Sequence, residues 1–498
     1  NISGVTMADD FRLKKLQSLK ALGIDPYPYA YNQTSHSSDI KERFAEYDGK
    51  RASVAGRILS MRNIGGVRFL DLYDSSGKIQ IMSRSDFLNE QSRKIIELID
   101  NGDIIGVTGI VTKTKRGEIS IDAQEITVLS KSLLTLPEKF HGLTDTEVRY
   151  RKRHLDFIAN PETKNLFVIR AKILKHVRDF LDARGYIEFE TPVLQPTYGG
   201  ANAKPFVTHY NALDTDVYLR VADELYLKRL IIGGFEKVYE VSKDFRNEDI
   251  DSTHNPEFTQ VEFYEAYKDY NDFMTLTEQM LNGMVKSIFG SEKIEYKGKE
   301  LSFAIPFKRL YWVDELRKMS GIDVSTLTDK EAIEIAAREN LQIPTKNAYH
   351  VADALFDKYV QPGLFAPTFV VDFPAYMCPL TKDKRGNRLL SERFELYIAG
   401  KEVANCYSEL TDPIEQRKKF EEQEEERRRG DEEAPPSDYD FIEAIEYGMP
   451  PTAGIGVSID RIAMILTGSD SIKEVIAFPA VKPIPKAQAK KHAEKAGK

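Results

Sequence analysis

The chain has 498 residues, 41% apolar and 30% charged, with a net charge of −8. That length suits about three domains and the composition is globular, too apolar for a wholly disordered chain. It has no run of about 18 uncharged apolar residues to span a membrane, no secretory leader pattern, and in Cys378 and Cys406 too few cysteines for a disulfide framework or a thiolate metal cage.

Asn1–Thr6 precede the first methionine, Met7, and are set aside as an appended leader. Phe11–Leu22 has helical apolar spacing, stopped by Gly23 and Pro26. From Arg51 to Leu129 the texture turns to short β-rich runs: Ser53–Leu59, Val67–Tyr73, Lys78–Met82, Ile104–Lys113 and Glu118–Val128. Gly65-Gly66, Ser76-Gly77 and Arg116-Gly117 mark hairpins, and Asp86–Asn101 is an amphipathic helix between the third and fourth runs. Five strands with a helix after the third is the order of an OB barrel, a common binder of single-stranded nucleic acid; any other small β-barrel is the alternative. Residues 1–136 hold 19 lysines and arginines against 17 carboxylates, whereas the remainder holds 51 against 61. The N-terminal part is thus mildly basic on an acidic protein, which permits a nucleic-acid module.

Lys131–Phe140 reads as a linker, and the basic run Arg149–His154 as a solvated helix face. Lys164–Arg184 is a long helix ending at Gly185. Strands are expected at Lys237–Val241, Thr259–Tyr267, Thr368–Asp372, Arg393–Ala399 and Glu402–Glu409, giving an α+β domain. Phe420–Glu433 reads as an exposed charged helix and loop, away from any binding site, and Lys482–Lys498 as a frayed basic tail.

Three stretches carry candidate chemistry. The first runs from Tyr239 through Phe245-Arg246-Asn247-Glu248 and a polar loop with His254 and Asn255, and returns as Phe258–Tyr264. Phe258, Gln260, Glu262 and Tyr264 share one parity and so one face. The second is the hairpin Phe394–Glu409, where Asn405, Tyr407 and Glu409 share a face and Glu395 and Glu402 come close across the turn. Paired carboxylates favour a cation between them, and Mg²⁺ with substrate phosphates fits. Strict alternation puts Glu402 opposite Asn405, so a metal role needs a bulge there. The third is Gly454-Ile-Gly456 through Asp460-Arg461, with Arg461 opening a buried helix over Ile462–Thr467.

Together these stretches resemble the class II aminoacyl-tRNA synthetases. Lys164–Pro192 resembles motif 1, Phe245–Tyr264 with F-R-x-E resembles motif 2, and Gly454–Arg461 with G-x-G-x-x-x-D-R resembles motif 3. Gly199–Phe206, Asp223–Lys228, Thr253–Phe258 and Asn405–Glu409 resemble the lysyl-tRNA synthetase branch, of bacterial type. The resemblance runs from about Phe11 to Pro485 and implies an anticodon-binding OB barrel before an antiparallel-sheet catalytic domain with flanking helices. It also implies boundaries: a helical extension over 1–50, the barrel over 51–136, a linker over 137–160, the catalytic domain over 161–485 and a basic tail over 486–498.

The resemblance implies two steps, lysine adenylation by ATP and transfer of the lysyl group to the 3′ end of tRNA(Lys). Arg246 would hold the α-phosphate, Phe258 and Arg461 would sandwich the adenine, and Glu248 would accept from its amino group. His254 and Asn255 would lie near the phosphates, Gly456 beneath the nucleotide, and Glu395 and Glu402 would hold Mg²⁺. Glu262, Tyr264, Asn405, Tyr407 and Glu409 would line the lysine side-chain pocket, with Glu224 and Gly200 by its α-amino end. A compact ammonium calls for carboxylates, whereas a pocket for aspartate would carry a cation. Many bacterial members carry Phe where this chain has Tyr407. On the barrel, Phe69 would stack a base, Gln80 would read a base edge, Arg57 and Arg62 would supply charge and Glu118 would read a flanking uridine. The family is homodimeric through motif 1, with Pro192 near the interface, and cytoplasmic. The alternatives are a related ligase for another acceptor, a silent paralogue that only binds RNA, and an aspartyl- or asparaginyl-tRNA synthetase.

Overall fold

The computed structural model describes residues 9–137, 143–248, 250–343, 347–429 and 434–483. Asn1–Thr6, expected to be an appended leader, and most of the expected basic tail lie outside these residues, as does the end of the expected linker. Two compact units are present, one running through Thr144 and the other from Asp145 to Val481. Among the described residues no helix is long and apolar enough to cross a membrane.

The first unit opens with a helix over Asp10–Ala21, capped by the Asp9 side chain. It contains a closed barrel of β1 (Arg51–Ile64), β2 (Val67–Tyr73), β3 (Lys78–Ser83), β4 (Ile104–Lys113) and β5 (Ile119–Ser130), in the order β1-β2-β3-β5-β4. Alternation builds it: Leu70, Leu72, Ile79, Ile81 and Ile121 fill the interior, while Phe69, Asp71 and Gln80 point outward. The helix between β3 and β4 spans only Glu90–Leu98, because Asn89 caps it and delays its start. β1 is longer than expected at both ends, carried by pairing to β2 beyond Leu59.

In the second unit, the stretch from Asp145, expected within a linker, forms helices over Thr146–Arg151 and Arg153–Ala159. The solvated reading of the Arg149–His154 run is corrected at Arg153, which is buried and donates to Asp156 and to the carbonyls of Lys473, Ile476 and Ala477. Three carbonyls at one chain end supply what a planar guanidinium needs. The long helix is Pro161–Asp182, with Pro161 in its first turn.

The sheet strands are β6 (Ile187–Glu188), β7 (Lys237–Phe245), β8 (Glu257–Ala266), β9 (Lys308–Tyr311), β10 (Thr368–Pro374), β11 (Asp383–Lys384), β12 (Asn387–Ile398), β13 (Lys401–Ser408) and β14 (Thr452–Ser458). Among the described residues they form a nine-stranded sheet, β9-β10-β12-β13-β14-β8-β7-β6, with β11 beside β12. Pairing is antiparallel except at the β6–β7 and β9–β10 edges. The expected α+β class, barrel first and antiparallel sheet second, is the one observed.

One face of the sheet is dry. Phe263, Phe394, Leu396, Ile455 and Val457 pack there against the Pro161–Asp182 helix and the Tyr270–Phe289 helix. A second apolar cluster around Trp312, Phe356 and Phe373 ties in the helices Trp312–Ser320 and Ala348–Tyr359. The opposite sheet face opens into a cavity of about 650 Å³.

Candidate active site

The cavity floor is set by register. β8 contributes Phe258, Gln260, Glu262 and Tyr264, as their parity predicts, and β14 pairs Gly456 with Glu262 and Gly454 with Tyr264. β13 pairs Asn405 with Gly456 and Tyr407 with Gly454 from the other side. The two glycines keep the floor low. A Cβ at Gly454 would overlap the Tyr264 ring and Glu409 Oε1.

The bulge required by Glu402 is present. Leu396 pairs with Ala404 but Tyr397 pairs with Glu402, which leaves Val403 as the extra residue on β13. Val403 turns into the core, and Glu402 joins Glu395 and Asn405 on the cavity face.

One end of the cavity is acidic. Glu262 and Glu224 are buried in its lining, while Glu409, buried beside Gly454, is not among the lining residues. The Tyr264 hydroxyl donates to Glu262 Oε2 at 2.9 Å, and the Asn405 amide donates to the Tyr407 hydroxyl at 2.8 Å, so the tyrosine at 407 has a partner for its extra oxygen. Gly200 has φ +87°, and a Cβ there would press on Ala222 and Glu224. Lys228, which sequence reasoning gave no role, is fully buried between Glu224 and Glu409.

Behind Glu262, Asp223 and Asp244 complete a trio of buried carboxylates with oxygens within 4.8 Å of one another. The Gln260 amide donates to Asp244 at 2.5 Å and Glu262 at 2.7 Å, supplying the donor that a cation would otherwise supply. Arg220 pairs with Asp244 and Glu240. Burial, then like-charge crowding, pushes Asp223 and Glu262 far up, and burial lifts Asp244 to about 6. A cationic ligand beside this cluster would offset the crowding and favour the ionised forms.

The other end is basic and aromatic. The Arg246 guanidinium lies over the Phe258 ring at 5.0 Å, and Arg461 donates to the carbonyl of Glu402 at 2.9 Å and to its carboxylate at 3.1 Å. Arg461 sits in the first turn of a helix over Ile459–Thr467, which starts three residues earlier than expected because Ser458 caps it. His254 Nε2 lies 3.4 Å from Arg461, and its Nδ1 faces Asp251 at 2.8 Å. Burial opposes ionisation of Asp251, but the His254 ring and the N–H groups of Thr253 and His254 hold its carboxyl far below the usual range. Asn255 lines the cavity, but its amide is engaged by the Glu257 carbonyl and the Ala480 N–H, which fixes the loop. Glu248 is exposed and accepts from the Lys204 N–H at 3.4 Å.

Between the two ends sit further carboxylates. Arg393, half-enclosed by Phe373 and Tyr407, donates to Glu395 at 2.5 Å, and Tyr397 donates to its other oxygen at 2.7 Å. Burial, with Glu402 and Asp353 adding to it, lifts Glu395 to about 7, and burial lifts Asp357 to about 7. Asp353 and Asp357 come from the Ala348–Tyr359 helix, which sequence reasoning had not connected to the cavity. The expectation that Phe420–Glu433 stands apart from any site is corrected as well. The helix is Pro413–Arg428, and Phe420 and Gln423 line the cavity, while 430–433 lie outside the described residues.

The barrel gathers its candidates on one outer face. Arg62 pairs with Phe69 across β1–β2, Gln80 sits opposite Asp71 and Ser120, and Arg57 and Glu118 share the parity of that face. Arg57 is tied to the Gly102 carbonyl at 2.6 Å, and Gln80 accepts from Ser120 at 3.0 Å. Asp71, overlooked in the sequence, occupies the centre and draws in Ser60 and Arg62.

A family model described as tRNA synthetases class II (D, K and N) matches residues 145–482, and one described as an OB-fold nucleic acid binding domain matches residues 52–129. The chain is similar to a protein named lysine–tRNA ligase from Clostridium perfringens (strain SM101 / Type A), 49% identical over 480 residues and 95% of each chain. It is 49% identical over 477 residues, 95% of each chain, to a protein of that name from Thermoanaerobacter pseudethanolicus. It is 47% identical to one named lysine–tRNA ligase 2 from Methanosarcina mazei, over 97% of this chain and 95% of the other.

Proposed function

The chain belongs to the class II tRNA synthetases of the D, K and N group, and from that premise we propose that it is a lysine–tRNA ligase. The lysine carboxylate attacks the α-phosphate of ATP, forming lysyl-adenylate as the bond to pyrophosphate breaks. A 3′-terminal ribose hydroxyl of tRNA(Lys) then attacks the lysyl carbonyl and AMP leaves. The observation that carries this reading is a cavity with buried carboxylates at one end and, at the other, Arg461 and an arginine stacked over an aromatic ring. The first end suits an ammonium and the second a planar, phosphate-bearing nucleotide.

In this reading Glu262, Glu409 and Tyr264 receive the side-chain ammonium, Asn405 and Tyr407 flank the stem, and Glu224 with Gly200 takes the α-amino group. Arg246 holds the α-phosphate and stabilises charge as it develops, Phe258 and Arg461 sandwich the adenine, and Glu248, His254, Asn255 and Gly456 complete the nucleotide end. The attacking carboxylate is ionised at neutral pH, so no side chain need remove a proton. Glu395 and Glu402 would hold Mg²⁺. The fit rests on the donors: Glu395, raised by burial with half-exposed Glu402 adding to it, offers with Glu402 hard oxygens that a divalent cation would stabilise as anions. When bound, the metal neutralises phosphate charge.

The outer face with Arg57, Arg62, Phe69, Gln80 and Glu118 is read as the anticodon platform. The domain boundaries proposed are 51–136 for the barrel and 161–485 for the catalytic part, in a cytoplasmic homodimer. Exposed Val193 and Leu194 beside Pro192 support the interface.

The test is amino-acid-dependent ATP–pyrophosphate exchange with each of the twenty amino acids. Lysine alone should support it. Exchange with aspartate or asparagine would overturn the substrate, and exchange with none would leave an RNA-binding paralogue. A finer expectation concerns Glu402→Gln, which removes one carboxylate but leaves Arg461 its bond to the carbonyl at 402. The Mg²⁺ concentration for half-maximal exchange should rise by roughly tenfold, about 1.4 kcal/mol of lost cation binding. A Mg²⁺ titration matching the parent protein would assign the metal elsewhere.

A further inference from the structure

We propose that Lys228 is a positioning residue for the amino-acid substrate. Its ammonium holds one oxygen of Glu224 and one of Glu409, and so turns the other oxygen of each toward the ligand. The proposal rests on the lysine–tRNA ligase reading and deepens it, because it explains why a cavity built for an ammonium contains a buried lysine of its own.

The geometry is specific. Lys228 lies on the helix Glu224–Ile232, one turn from Glu224, and is fully buried. Its Nζ donates to Glu224 Oε1 at 2.5 Å and pairs with Glu409 Oε2, with the Phe441 ring 5.9 Å away. The remaining oxygens are those that face the cavity floor. Glu224 Oε2 is turned to Gly200, and Glu409 Oε1 is turned to Gly454 and has no donor. Each oxygen thus stands by a glycine of the cavity lining, whose missing side chain leaves room for that carboxylate.

The electrostatics explain why a cation is needed. Two carboxyl groups close together in a dry site cannot both stay ionised unless a positive charge lies between them. Removing Lys228 would let one acid take a proton and bond to the other, consuming the acceptors meant for substrate. Burial alone would strip the Lys228 proton, but Glu224 and Glu409 outweigh it and keep the ammonium charged. Burial still pushes Glu409 up to about 8, against the pull of Lys228. The other groups facing this pair are Glu262 and Tyr264 from β8, Tyr407 from β13 and Lys382 beside β11. Arginine would keep the charge, but its flat fork differs from the compact tetrahedral ammonium that reaches two acids at one point.

The experiment uses the full chain with Lys228→Met and Lys228→Arg, read by lysine-dependent pyrophosphate exchange from pH 6 to 9.5. In the parent protein kcat/KM for lysine should climb with pH and level off above about 8, because a protonated Glu409 cannot pair with an ammonium. Lys228→Met should raise KM for lysine by roughly 30-fold or more at pH 7. Its KM for ATP should stay within a few-fold, and its climb in kcat/KM should extend about one pH unit higher. Lys228→Arg should raise KM for lysine with little change in the pH profile, and it carries the test if the methionine variant does not fold. A folded methionine variant with the parent KM and pH profile would reduce Lys228 to packing and overturn the proposal. A parent protein that exchanges with no lysine would instead overturn the ligase reading, and the proposal with it.

Discussion

Arg246→Gln is expected to cut lysine-dependent pyrophosphate exchange by about a thousandfold while the fold survives. Among the described residues no carboxylate lies at ion-pair distance from this guanidinium. Its Nε reaches only the Val221 carbonyl, at 3.5 Å, and its plane rests over Phe258. A cation lining a cavity with no carboxylate at ion-pair distance costs little stability to remove. It costs much in rate if it meets charge that develops on a phosphate, since one preorganised donor is typically worth about 10²–10³. The check is kcat for exchange beside the thermal midpoint, which should move by no more than a few degrees. Arg246→Lys should fall between, because it retains charge but loses the fork. An exchange rate within threefold of the parent would show that the phosphate is held elsewhere.

Gly454→Ala should lower lysine-dependent exchange by about a hundredfold or more and cost about 1–3 kcal/mol of stability. The reason is space, not backbone freedom. The added carbon meets the Tyr264 ring and Glu409 Oε1, and neither can retreat. Tyr264 is anchored to Glu262 and Glu409 is anchored to Lys228. Gly456→Ala is the control within the same strand. A Cβ there makes only ordinary contacts, 3.7 Å from Gln260 and Glu262, so the free protein should keep nearly all its stability. If Gly454→Ala left both KM for lysine and the thermal midpoint unchanged, the tight floor described for β14 would be wrong.

Much of the site could be read in advance because strand parity is a local property. Alternation alone put Phe258, Gln260, Glu262 and Tyr264 on one face, and the barrel's inner and outer residues separated the same way. What escaped depends on partners distant in the chain. Lys228 and Arg220 look like ordinary surface charges until Glu409, Glu240 and Asp244 arrive to pair with them. Arg153 belongs to a basic run and is buried only because the chain returns near residue 476 to cap it. Asp353 and Asp357 sit on a helix whose sequence carries no motif, and only its packing through Phe356 against Trp312 and Tyr397 brings them to the cavity. The bulge at Val403 is called for only by a metal role for Glu402, since Val403-Ala404 is itself as apolar as any regular strand.

That extra residue divides β13 into two reading frames. Upstream of it, the letter that faces the cavity is Glu402; downstream, the letters are Asn405 and Tyr407. A strand read in a single frame would serve one ligand along its length. With the frame shifted once, the same eight residues present a carboxylate to the cavity from one segment and an amide and a phenol from the other. Substitutions can then accumulate in either segment without misaligning the other, whereas the same eight residues in one unbroken alternation would turn Glu402 to the dry face opposite Asn405.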